Sequence, residues 1–475
     1  PVIADKLRRA WGYTPNVLRP DGGMPLNNDS DRGNHTQTAL RAAERYTRPD
    51  WAFMATNGEQ GDAPTAPPSR AYPWAGHVVT RSDWSRDAQW AFFDIGPWGT
   101  GHQHNDKLHL SIHAHGRDLL VDAGRFWYEG GPIRTYALSG AAHNVVMLDG
   151  LGQTPGRKRA EAPTPWVSLQ DDVDFALGRS DRGYTFADAD RSTVMTRPGA
   201  HTRALVYLRD RCWLVLDRVE SAAAETASVL WHFHPDCTVT ADGQVVRTTD
   251  AGQANLEIRP LAGPGDWDLE LVRGRETPTP QGWYSEESYA TWYKNTCAVY
   301  KAPLDGGLLC AWLLVAGPDE IPPVDAVLDR ATDTGVQISL SAEGGWQRRV
   351  TLELDGRCTW DLADGHRLQG YGAVESPGQE PIALCGRLET ADGNLLHDDT
   401  PPAADVLAHL ADELYMPADR STVADREQHF AVRLHNPLCA ETLTVSATLQ
   451  ADDGLSATPS PTETTLPPGD TAVLD

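Results

Sequence analysis

The chain has 475 residues, 41 of them Lys or Arg against 66 Asp or Glu, for a formal charge of −25. The length allows about three domains of roughly 150 residues, each large enough to bury a core. Acidity spread along the whole chain excludes non-specific electrostatic binding of duplex nucleic acid or of an anionic membrane surface, so an anionic partner has to be met by a local cluster of Arg. No apolar run reaches the roughly 18 residues of a membrane-spanning helix, so membrane insertion is not expected. The opening PVIADKLRR lacks the apolar stretch and cleavage site of a signal peptide. Cysteines 212, 237, 297, 310, 358, 385 and 439 stand singly, without a CxxC pair, which argues against a zinc ribbon or a thioredoxin-type centre.

From Ile3 to Trp11, and again from Thr36 to Tyr46, apolar residues recur at helical spacing (Ala39, Ala42, Ala43, Tyr46). After Arg48 the pattern changes to short alternating segments punctuated by Gly, Pro and Asn, as in antiparallel β structure. GHVVTRS, QWAFFDIG, KLHLSIHAHG, RDLLVDAG, HNVVMLDG, RALVYLRDRCWLVLDRVE and SVLWHFHPD each read as a strand or hairpin arm. In the third, Leu108, Leu110, Ile112 and Ala114 alternate with His109, Ser111, His113 and His115, which places the three histidines on an exposed face. Strand patterns continue through 244–262, 267–274, 308–316 and 335–354. An amphipathic helix is expected from Ala404 to Tyr415, followed by the first strands of an immunoglobulin-like sandwich that stops on Thr471–Leu474.

The densest chemistry lies in GTGHQHNDKLHLSIHAHGRDLLVDAG, residues 99–124, and AAHNVV, 141–146. On an extended strand, His102 and His104 share a face. Asp122 ends the strand that returns across the Gly116 turn, and His143 begins the next. Two imidazoles and a carboxylate gathered at one end of a sheet suit a zinc ion with a fourth, exchangeable position. This makes His104, Asp122 and His143 candidate ligands and leaves His102 free; the plain alternative is a set of polar residues satisfied on a solvated sheet face. H-Q-H-N-D, 102–106, also resembles the H-x-H-x-D core of metallo-β-lactamase-like dinuclear zinc hydrolases, but Lys107 stands where that core has His, and strands follow strands where it needs β and α to alternate.

Taken together, G-H-x-H-x-D-x-L, G-R-x-L-L-V-D-x-G, Tyr128, Arg134-x-Tyr136 and A-A-H-N-x-V-x-x-D-G resemble the β-sheet domain of the heparinase II/III-like polysaccharide lyases. Upstream, MPLNNDSDRG (24–33) resembles the segment closing that family's helical toroid. Downstream, WHFHPD (231–236) and GWYSEESYA (282–290) stand where the family carries later sheet motifs. The resemblance spans residues 20–350. It implies a mainly β fold: a large antiparallel β-sandwich after a short helical remnant of an (α/α) toroid, with a smaller C-terminal β domain and a partial Ig-like module. The corresponding division is 1–48 helical remnant, 49–72 linker, 73–330 sandwich, 331–400 smaller β domain and 401–475 helix plus partial Ig-like domain.

The resemblance further implies β-elimination beside a uronic acid, in an enzyme secreted or periplasmic, with an acidic polysaccharide such as a glycosaminoglycan or alginate as its partner. A homo-oligomer is compatible with it. His102 and Tyr128 match catalytic residues, His104, Asp122 and His143 match ligands of a structural zinc, and Arg134 and Tyr136 are candidates for holding substrate. Asn28, Asp29 and Asp31 read as a turn and helix-cap cluster on the cleft rim. Trp127, Trp231, Trp283 and Trp292 are candidates for stacking on sugar rings. In the family the toroid supplies an Asn or His and a Tyr well upstream of H-x-H. Here Tyr13 and Tyr46 are the sole tyrosines of the opening helices. The sequence therefore reads as the back half of a lyase, completed by residues upstream or by another chain, or else as a non-catalytic carbohydrate-binding or structural β protein.

Overall fold

The computed structural model describes residues 2–398 except 74, 97–100, 154–165, 181–183, 188–193, 287–290 and 357, together with strand residues 407–410, 432–435, 443–446, 463–466 and 471–474. Helix α1, Val2–Val17, is followed by α2, Thr36–Tyr46, which buries Ala39, Ala42 and Ala43 as their spacing dictates. The segment 49–72, expected as a linker, instead holds helix α3, Pro49–Ala55, and strand β1, Arg70–Tyr72. Its order has a physical source, since Trp51 and Met54 pack on Ala42 and Ala43 and the proline occupies the first helical turn, where no hydrogen bond is lost.

Strands β2 (His77–Arg81), β3 (Trp90–Asp94), β4 (Leu110–Ala114) and β5 (Arg117–Leu120) follow β1 in one antiparallel sheet, each beside the next. Beneath it lies an eight-stranded sheet in the order Val239–Asp242, Val245–Thr248, Asn255–Ala262, Gly307–Gly317, Cys212–Glu220, Ala200–Leu208, Val173–Ser180 and Val167–Leu169. Both faces of this central sheet are buried. Leu205, Tyr207, Trp213, Val215, Trp312 and Leu314 share one core with β2–β5. Their neighbours Ala204, Val206, Leu214, Leu216, Leu313 and Val315 share another with Val336, Ile338, Leu340, Val350 and Leu352 of a seven-stranded sheet. Residues of opposite parity on one strand thus serve two cores, which is why 204–208 and 212–216 each read as an unbroken apolar run. The seven-stranded sheet begins with Val324–Ala331, so a boundary at 330/331 would cut its first strand. Past it, Leu407–Leu410 is a strand paired with Val432–His435, not part of a helix. So short an apolar run fits either period, and the rest of the expected helix, 404–406 and 411–415, lies outside the described residues. Val432–His435 pairs in turn with Thr471–Leu474.

Two buried ion clusters fasten the site-bearing loops to this frame. Arg203 is fully buried; its Nε and Nη2 donate to Asp217 at 2.7 and 3.1 Å, and its Nη1 donates to the carbonyls of Leu108 (2.8 Å) and Asn144 (2.5 Å). The second cluster corrects the expectation that His109, His113 and His115 are exposed. His113 is 2% exposed, 2.7 Å from Asp118, and Asp118 also receives Arg19 Nη1 at 2.9 Å and Arg32 Nη2 at 3.2 Å. His109 is buried as well, between Ser111 and the Asn144 amide, and His115 is half-buried. Alternation along β4 suggests a wet face, but Val17 of α1, flanked by Tyr13 and Met24, packs on that side against Val79, Trp90 and Phe92. Its polar residues must therefore find partners.

Burial alone would raise the Asp118 pKa, but Arg19, His113 and Arg32 outweigh it and hold the carboxyl far below its usual range. A depressed carboxylate stabilises the fold above its unfolded pKa of about 4, and that stability is lost as pH falls toward the folded value. Asp118→Asn should lower unfolding free energy by about 3 kcal/mol at pH 7, because Arg19 is left buried beside a neutral group. The gap to wild type should narrow below about pH 4; urea melts across pH test this, and a pH-independent gap would contradict it.

Candidate active site and metal centre

The H-x-H string lies in the loop that precedes β4, not on a strand, and its two rings diverge. His102 has left-handed backbone (φ 55°) and a side chain 71% exposed, whereas His104 is fully buried. Both still reach one carboxylate, that of Asp29. His102 Nδ1 lies 3.0 Å from Asp29 Oδ2, and His104 Nε2 lies 2.9 Å from Oδ1. Arg134, on helix α4 (Pro132–Leu138), donates Nη1 and Nη2 to the same two oxygens at 2.7 and 2.9 Å. The loop carrying Asp29 is pinned through its backbone to His102 O (3.2 Å), and the Asn28 side chain accepts from His104 N (2.9 Å).

Burial would raise the Asp29 pKa, but hydrogen bonds from His104 and Arg134 prevail and keep it ionised well below the usual range. An ionised carboxylate only accepts, so His102 Nδ1 is the donor in this contact, and Nε2 is the ring nitrogen left for solvent or substrate. Tyr128, 48% exposed, brings its hydroxyl within 3.3 Å of His102 Nδ1 and its ring edge-on to the imidazole at 5.6 Å. Arg125 lies over the tyrosine ring at 4.7 Å and is itself paired with Asp31 at 2.7 Å.

Behind this exposed pair sits a buried polar cluster. His104, Asp106 and His143 bring one donor atom each within 4.8 Å of one another. Each also has a buried atom without a partner: His104 Nδ1, Asp106 Oδ2 and His143 Nε2. Asp122 is turned differently. Its Oδ2 meets His143 Nδ1 at 3.0 Å and its Oδ1 accepts from Gly124 N at 2.8 Å. Asp122 forms a second triple with His109 and His143, but both nitrogens of His109 already have partners. Burial first, then Asp94 and Asp122, outweigh the opposing His143 and push Asp106 up to about 7. Burial also lowers the His104 pKa, favouring the neutral ring that a metal binds.

Residues 64–298 match the family model for the heparinase II/III-like C-terminal domain. The protein carries a heparinase II/III-like domain. A curated relative, the heparin-sulfate lyase of Pedobacter heparinus, is 26% identical over 215 residues, covering 44% of this chain and 30% of that protein. The solved heparan sulfate lyase HepC of Pedobacter heparinus superposes with a TM-score of 0.58 at 20% identity, over 71% of this chain and 51% of that one. A heparinase III gene product gives 0.60 at 17% identity, over 74% and 53%. The chain thus spans about a third of the curated relative and about half of these solved structures.

Within this heparinase II/III-like domain the expected site residues do not all play the parts expected of them. His102 and Tyr128 stand together at the surface. Arg134, a candidate for gripping a substrate carboxylate, already spends both terminal nitrogens on Asp29. Tyr136 is 3% exposed and hydrogen-bonded to Trp283 backbone, so it faces the core and not a ligand. Trp231 is fully buried, beside Trp312, and cannot stack on sugar. Asp29, read in sequence as part of a turn, is the hub of the site. A zinc ion suits the unpartnered atoms of His104, Asp106 and His143; Asp29 and Asp122 then hold the far nitrogens of the two imidazoles, as carboxylates behind zinc-bound histidines do. Asp106 stands in the G-H-x-H-x-D-x-L string itself, but the sequence reading gave the carboxylate position to Asp122.

Asp29→Asn preserves shape and removes the charge that three partners share. It should cost about 3 kcal/mol of stability, read by thermal melting, whereas Asp31→Asn, at a half-exposed pair, should cost under about 1 kcal/mol. Equal effects would remove Asp29 from its central place.

Proposed function

We propose that the protein is a polysaccharide lyase that cleaves a uronic-acid-containing chain by β-elimination. The observation that carries this reading is the exposed His102 ring, oriented from behind by ionised Asp29 and flanked by the Tyr128 hydroxyl. The C5 proton of a uronate lies α to a carboxylate, and its removal builds charge there. A lyase site has to accept that proton, offset the charge and protonate the departing O4. His102 Nε2 is placed to take part in the proton transfer or to neutralise the uronate, and Tyr128 has a hydroxyl to give or receive a proton beside it. Arg134 serves this chemistry indirectly, by fixing Asp29. No redox or nucleotide cofactor is required.

The unpartnered donor set supports zinc held by His104, Asp106 and His143, in place of the His104, Asp122 and His143 that the family resemblance implies. Zinc bound there would cross-link the loop before β4 to the turn before β6 (Val146–Leu148) and fix the far side of the imidazole cluster. A secreted or periplasmic location accords with a polymer substrate; among the described residues no helix is long and apolar enough to cross a membrane.

Protein expressed from the complete gene, incubated with heparan sulfate, hyaluronan and alginate, should generate the ultraviolet absorbance of a conjugated unsaturated uronate with at least one of them. A flat trace with all three from zinc-loaded protein would sink the lyase reading in favour of carbohydrate binding without cleavage. His102→Ala should reduce kcat by at least about a hundredfold with little change in melting temperature, since the ring is exposed. For the metal, Asp106→Asn and His143→Ala should each lower zinc content and melting temperature. Elemental analysis showing full zinc in Asp106→Asn, with loss in Asp122→Asn, would instead make Asp122 the ligand.

A further inference from the structure

Next to His102 the chain builds a second surface. Phe126 has left-handed backbone (φ 58°) and a buried side chain, while Trp127 is half-buried and Tyr128 is exposed. Trp127 meets Trp292 with ring centroids 6.0 Å apart, and Trp292 leans on Phe126 at 5.7 Å and on Trp283 at 4.8 Å. Tyr293 follows, 50% exposed, and Lys294 places its ammonium 5.6 Å from the Trp283 ring. Most aromatic rings among the described residues are core, so half-open tryptophans packed against other rings, one of them next in sequence to the Tyr128 that touches His102, call for a ligand. Lys294 is one of only five lysines in a chain of charge −25.

We propose that Trp127, Trp292 and Tyr293, with Lys294 at their edge, form a subsite for an acidic sugar ring adjoining the one at His102. The C–H face of a pyranose is apolar and suits a tryptophan ring, while its rim carries hydroxyl and anionic groups. Charge complementarity selects the occupant: Lys294 meets a carboxylate or sulfate on the rim, in a protein whose overall charge repels polyanions elsewhere. Phe126 and Trp283 set the platform from beneath, so the rings need no reordering when sugar arrives. Sequence separation hid the arrangement, since Trp127 and Trp292 lie on different loops.

The inference rests on the lyase reading for its polymer, but the two can fail separately. Calorimetric titration with unsulfated and sulfated uronan oligosaccharides, in a His102→Ala background that prevents turnover, reads binding alone. Trp127→Ala should weaken both by about tenfold. Lys294→Ala, at an exposed side chain that leaves folding undisturbed, should weaken binding about threefold and reduce its salt dependence; loss confined to the sulfated ligand identifies the anion as sulfate, and equal loss with both identifies carboxylate. In the active protein Trp127→Ala should raise KM and leave kcat within about twofold. Wild-type affinity in both Trp127→Ala and Lys294→Ala would overturn the subsite even if uronan is cleaved. Trp127-dependent binding without cleavage of any uronan would uphold it while the lyase reading fell.

Discussion

The fully buried guanidinium of Arg203 is the constraint on which the site depends. Its charge is matched by Asp217 inside the central sheet, and its remaining donor Nη1 takes the carbonyls of Leu108 and Asn144. Leu108 follows the H-x-H loop and Asn144 follows His143, so one cation sets how far apart the two halves of the polar cluster stand. Asn144 extends the same logic. Its side-chain amide donates to the carbonyls of Leu110 and Val121 and its oxygen accepts from His232 N, joining β4, the end of β5 and the strand Thr226–His232. A buried cation with every hydrogen bond in place adds little net stability, but it makes alternative loop positions expensive.

The strands and the H-x-H string were legible because period-two alternation and Gly punctuation are local properties. His109 and His113 show where locality fails. Whether the polar member of an alternating pair is wet depends on what covers the sheet, and in β4 the cover comes from residues around 17–32. Asp29 does lie in a turn, but its role as a hub was hidden for the same reason: its partners lie 73, 75 and 105 residues away, and nothing in NNDSD marks a turn carboxylate as one. Trp231 and Tyr136 were overrated because an aromatic side chain carries the same letter whether it fills a core or faces a cleft. Asp106 and Asp122 illustrate a finer limit. Spacing brings both near the histidines, but which oxygen is turned toward the open imidazole nitrogens is a matter of rotamers and of the Gly124 amide.

Charge in the site is balanced pair by pair. Arg134 faces Asp29, Arg125 faces Asp31, Arg19 faces Asp118, and Arg32 is shared by Asp21, Asp118 and Glu286. The Arg cluster that an acidic chain needs for a polyanion is thus present, but largely neutralised by its own aspartates. Such pairs give orientation more than attraction. Recognition of an anionic polymer then has to draw on stacking, on hydrogen bonds and on individual cations at the rim.

The recognisable unit and the cooperative unit do not coincide. The family match ends at residue 298, but Gly307–Gly317 lies between Asn255–Ala262 and Cys212–Glu220 in the middle of the central sheet. A piece cut at the match would present two unpaired strand edges and one naked apolar face, a template for self-association. The seven-stranded sheet therefore serves as a lid on the central sheet, opposite β1–β5: it supplies the apolar side chains that cover that face, and it cannot be removed without baring it.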